Sequence, residues 1–91
     1  MISEEIRKKI FSDFTDEEME MLDYATNPLL RGRVIINISL LREDLNEMGP
    51  KLLEEKKITE AMNVADAMAW LEIFETLLKS FDKIDDIFSP Y

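Results

Sequence analysis

Ninety-one residues with twenty acidic and eleven basic side chains, no Cys and no His form an acidic chain of net charge −9. That inventory excludes a disulfide framework and the usual Cys/His zinc site. It also removes the side chains that most often act as base or nucleophile at neutral pH.

A compact fold of this length buries roughly 60–65% of its extended-chain surface, a modest core that association would supplement. The charge is uneven: residues 1–28 carry −5, residues 29–57 carry +1 and residues 58–91 carry −5. Such a field disfavours nucleic acid and anionic membranes. The longest apolar run, Val34-Ile35-Ile36, is far short of a membrane span. The start, Met1-Ile2-Ser3-Glu4-Glu5, is not that of a secretory signal. A cytoplasmic protein is expected.

Ser3 caps a first predicted helix with Glu4 and Glu5 in its opening turn. Ile2, Ile6 and Ile10 recur every four residues, Phe11 and Phe14 extend the stripe, and the helix is expected to end near Asp13. Thr15-Asp16-Glu17-Glu18 is a capping box. It opens a second short helix that is expected to carry Met19, Leu22 and Ala25 inward and to stop near Thr26.

Asn27-Pro28 is the next start signal, with Asn as cap and Pro at the first helical position. Val34, Ile38, Leu41, Leu45 and Met48 then step 4, 3, 4, 3, a coiled-coil-like seam. Arg33–Ile38 is rich in β-branched residues and has strand character after Gly32. The seam runs well past that segment and favours helix. Gly49-Pro50 is expected to end the helix at Met48, with residues 49–57 as the bend.

From Ile58 to Phe88 the pattern is helical again. Ala67, Trp70, Phe74, Leu77, Phe81, Ile84 and Phe88 form a second seam, with Val64, Met68, Leu71 and Leu78 beside it. Ala61, Ala65 and Ala69 form a stripe of small residues on an adjacent face. The expected architecture is therefore all-α over 1–91 as one domain: two short helices within 1–27, then an antiparallel hairpin of 28–48 and 58–88.

The last helix is too apolar around its circumference to have one solvated face, so part of it is expected to meet a second copy or a partner protein. Trp70, Phe74, Leu77, Phe81 and Phe88 are the anchor candidates, aromatics giving large buried area at low entropic cost. Arg31, Arg33 and Arg42 are expected to pair with the acidic ends rather than with nucleic acid. Lys79 and Lys83 are expected to pair with Glu75 and Asp82.

Two other functional classes remain. Asp16, Glu17, Glu18 and Glu20 form an acidic surface that could imitate a phosphate backbone and inhibit a nucleic-acid-binding protein. A Mg²⁺-dependent nucleotide hydrolase would use helix-borne carboxylates such as Glu17/Glu20 and Glu72/Glu75. Those pairs lie far apart in sequence, with no convincing second motif. The reading from sequence is an acidic protein-binding module, self-associating, non-enzymatic, without cofactor, acting as adaptor, regulator or inhibitor.

Overall fold

The computed structural model describes the backbone of residues 4–88 and the side chains of residues 4–84. Ile2, Ser3 and the tail at 89–91 lie outside the described residues, as do the side chains of 85–88. Four α-helices follow in chain order, with no strand among the described residues: α1 (Glu4–Ile10), α2 (Asp16–Met21), α3 (Pro28–Glu54) and α4 (Ile58–Phe88). The β-branched segment 33–38 is helical, and Val34 and Ile38 are fully buried on α3.

α1 has Glu4 and Glu5 in its first turn and Arg7, Lys8 and Lys9 in its last, matching both ends of the helix dipole. It ends at Ile10, three residues before the expected stop. The Asn37 side-chain amide accounts for this: Nδ2 donates to the Ile10 carbonyl at 2.8 Å and to Asp13 Oδ1 at 2.8 Å. An orphan carbonyl of the helix end is thereby satisfied by a neighbouring helix.

α2 begins with the expected capping box. The Glu18 amide donates to Thr15 Oγ1 at 3.1 Å and the Thr15 amide to Glu18 Oε1 at 2.9 Å. It stops at Met21, well short of Thr26, because Asp23 Oδ1 captures the amides of Ala25 (2.9 Å) and Thr26 (3.2 Å). That turn leaves Met19 and Ala25 exposed, and of the three residues expected inside only Leu22 packs on the core.

α3 starts as expected, Asn27 Oδ1 accepting the Leu30 amide at 3.2 Å. It does not stop at Gly49-Pro50 but passes through Pro50 to Glu54, so the bend is residues 55–57 rather than 49–57. A Schellman closure stabilises the extra turn. Lys56 takes a left-handed φ of 61°, its amide donating to Leu53 O at 3.0 Å, and Lys57 N–H reaches Leu52 O at 2.9 Å.

The core lies between α3 and α4, where Val34, Ile38, Leu41 and Leu45 meet Ala67, Leu71 and Leu78, with Ile10 of α1 added from the side. This register differs from the predicted second seam. Leu71 and Leu78 are at 0% and 1% exposure, whereas Trp70, Leu77 and Ile84 of that seam are at 37%, 58% and 45%. Met48, the last residue of the first seam, is likewise exposed.

Charge decides between the two adjacent rows of α4. Turning Leu71 and Leu78 inward brings Glu75 to Arg42 and Asp82 to Arg31 across the helix pair, giving each guanidinium group a carboxylate partner. A partly buried charge without a partner costs far more than the difference between two apolar rows.

The result is elongated, 54 × 29 × 19 Å, with a radius of gyration of 15.4 Å against about 12 Å for a compact domain of this length. It exposes 6900 Å², against about 5,500 Å² for a compact monomer of this mass.

Candidate interaction surface

The residues left outside by this register form a second apolar face on α4. Ile58, Met62, Ile73, Leu77 and Ile84 follow one another at helical spacing, each between 45% and 63% exposed, with Ala65 and Ala69 exposed between them. At 3.6 residues per turn this row lies roughly opposite the buried Ala67–Leu71–Leu78 row. Its polar members are nearly silent. Thr76 Oγ1 donates to Glu72 O at 2.9 Å and Ser80 Oγ to Leu77 O at 2.5 Å, so both hydroxyls serve carbonyls of their own helix. Asp66 interrupts the row between Met62 and Ile73, and Glu72 and Lys83 lie along its border.

The five anchor candidates are divided by the fold. Leu77 belongs to the outward face. Trp70 stands at its edge, edge-on to Phe74 with ring centroids 4.9 Å apart, and Phe74 in turn meets Tyr24 at 5.5 Å. Phe81 lies beneath the Arg31 guanidinium, 5.7 Å from its centroid. Phe74 and Phe81 are therefore half-buried against their own chain. The Phe88 side chain lies outside the described residues. The outward residues that the sequence reading passed over, Ile58, Met62 and Ile73, form a row a little to one side of the seam. The signal was present as 4-3-4 spacing through Ile58, Met62, Ala65 and Ala69.

Arg31, Arg33 and Arg42 pair within the chain. Arg31 has no exposed side-chain surface; Nη1 donates to Tyr24 O at 2.8 Å and Nη2 to Asp82 Oδ1 at 2.6 Å. Arg33 pairs with Glu18, donates to Asp13 O at 3.0 Å and covers the Phe14 ring at 4.4 Å. Arg42 pairs with Glu75, which Lys79 also approaches at 3.5 Å. Asp82, which was expected to take a lysine, is the partner of Arg31.

The acidic row of α2 is not uniform. Asp16, Glu17 and Glu20 are exposed, whereas Glu18 is held by the Thr15 amide and by Arg33. The Thr15 amide bond is the main reason the Glu18 carboxyl titrates below its ordinary value, with Arg33 adding to it. Asp13 is also lowered: partial burial pushes it up, and the hydrogen bonds from Asn37 and Arg33 outweigh that effect. Arg33 is raised, chiefly by the Glu18 bond. Burial raises the Tyr24 phenol. Among the described residues no three carboxylates come close enough to hold a metal ion, and no helix is long and apolar enough to cross a membrane.

One open groove of about 560 Å³ lies between α1 and the end of the hairpin near the bend, floored by Leu45, Met48, Leu52, Val64 and Ala67 and walled by Trp70. A smaller one of about 430 Å³ lies on the other side of Trp70, beside Ile10, Phe11, Leu22 and Phe74. Comparison with models of protein families, with curated proteins and with solved structures finds no match for this chain.

Proposed function

We infer that the protein is a helical protein-binding module that associates with a second copy of itself through the outward face of α4, serving as an adaptor or regulator rather than as a catalyst. The observation that carries this reading is the outward row Ile58–Met62–Ile73–Leu77–Ile84, which gives α4 two apolar sides while the chain itself covers one. A helix apolar on opposite sides wants cover on both.

Surface area leaves room for a second copy as the cover. The excess over a compact monomer, about 1,400 Å², exceeds the roughly 800 Å² per partner that a standard interface removes. Charge is consistent with the same choice. Two chains of net −9 repel least where they meet on a surface with few charges, and the side chains of this face are mainly apolar.

Light scattering across a concentration series tests the reading. The expected mass rises towards twice the 10.7 kDa of one chain. A mass that stays at one chain up to millimolar concentration would refute self-association.

A further inference from the structure

The groove beside α1 suggests a second kind of partner. α1 has seven residues and α3 twenty-seven, about 10 Å of helix lying along about 40 Å. Among the described residues the short helix covers the hairpin near Ile10 and Ile38 and reaches the groove with Glu5, Ile6 and Lys9. Among the described residues beyond it, Leu52 and Val64 are half-buried and Met48 is 41% exposed, above a floor that includes the buried Leu45. Two packed helices with an uncovered seam present the valley that a third helix fills by ridge-into-groove packing.

We propose that this groove is the docking site for a basic amphipathic helix of another protein. Charge selects the occupant. Lys9 is balanced within the groove by Glu5 at 3.9 Å, and Lys57 is turned towards Glu55 at 3.1 Å. Glu60 and Asp66, both exposed along α4, therefore set the sign of the rim. The chain's net charge of −9 adds long-range attraction for a cationic segment. An acidic helix would meet like charge, and an uncharged one would gain the floor without the rim. The stretch from Leu45 to Leu52 on α3 is about 10 Å long and accommodates about two turns, with apolar anchors at i, i+3 or i+4, and i+7. Met48 supplies a flexible contact that adjusts to different anchor shapes.

The groove meets the edge of the outward face at Asp66 and Trp70, while Ile73 and Leu77 lie outside its lining. Trp70 is the sole tryptophan and lines the groove, which gives the test its own reporter. The intact chain is titrated with a synthetic amphipathic helix of about 14 residues carrying Leu on one face and Lys on the other, with Trp70 emission as readout. The expected result is a saturable shift. Glu60→Lys/Asp66→Lys weakens binding about tenfold, Met48→Glu abolishes it, and Ile73→Glu leaves it unchanged. All of these positions are exposed, and circular dichroism verifies that each variant stays folded. Absence of a saturable shift overturns the proposal. So does equal binding of a peptide with Glu in place of Lys, or undiminished binding to Met48→Glu, which would place the peptide on another acidic surface. Loss of binding in Ile73→Glu would move the peptide to the outward face and overturn it as well.

Discussion

Asp82 Oδ1 accepts a hydrogen bond from Nη2 of Arg31 at 2.6 Å, joining the start of α3 to the last third of α4 across fifty-one residues of sequence. The guanidinium is wholly buried and also donates to the Tyr24 carbonyl, whereas the carboxylate is half in water. Removing either partner is therefore unequal in cost. Asp82→Ala is expected to cost about 1–2 kcal/mol, less than a fully buried pair because water partly replaces the carboxylate. Arg31→Ala should cost about 3 kcal/mol, since a cavity is added to the lost bonds, and Arg31→Met should recover part of that by filling it. Urea unfolding measures all three, and an unchanged midpoint for Asp82→Ala would show that the pair does not lock the hairpin.

The register of α4 makes a sharper prediction. Leu71 and Leu78 are inside and Leu77 is outside. Leu71→Ala and Leu78→Ala are expected to lose about 2–4 kcal/mol of stability. In a dilute sample, below the concentration of self-association, Leu77→Ala should lose less than about 1 kcal/mol. Equal losses at 71 and 77 would mean that the Trp70–Leu77 row faces the core after all.

Acid should loosen the α1–α2 segment. The Asp13 and Glu18 carboxyls titrate below their ordinary 3.8 and 4.5 because Asn37, Arg33 and the Thr15 amide favour their charged forms. A lowered folded pKa contributes stability that is present above the ordinary value and lost as pH falls through the folded one. The clasp between Arg33, Asp13 and Glu18 should therefore weaken as pH falls below these ordinary carboxylate values. The near-ultraviolet signal of Phe11, Phe14 and Trp70 should change before the helical signal does. Arg33→Gln should flatten that acid response, and an identical response in the variant would assign it elsewhere.

Lys56 carries a side chain in the left-handed region, at φ 61°, where glycine is favoured. Lys56→Gly is expected to raise stability by about 0.5–1 kcal/mol, with the Schellman bonds to Leu52 and Leu53 intact. A lower melting temperature would show that strain at the bend is absent or offset by a contact of the lysine.

The features legible in the sequence were those with a local cause. The Thr15–Glu18 box, the Asn27-Pro28 start and the Val34–Leu45 seam each depend on neighbours in the chain, and each forms as read. The misread features have two kinds of cause. α2 ends early on a local turn, Asp23 Oδ1 taking the amides of Ala25 and Thr26, whereas α1 ends early because Asn37, distant in sequence, caps it. Pro50 lies inside α3, which runs on to closing bonds at Lys56 and Lys57, six and seven residues later. The inward row of α4 was invisible for a cause distant in sequence: both rows fit helical spacing, and the choice rests on Arg31 and Arg42 from the opposite helix. The surplus of apolar surface on α4 was visible at once. Its placement on Ile58, Met62 and Ile73 rather than on Phe74 and Phe81 required the register.

The central claim is that the outward face of α4 carries the self-interface, and Ile73→Glu tests it most directly. The side chain is 63% exposed within one chain, so the substitution should leave helical content unchanged. Sedimentation of the variant beside the native chain over the same concentration range should give a single-chain mass for Ile73→Glu where the native chain gives two. Identical association of both proteins would contradict the account and remove α4's outward face from the interface.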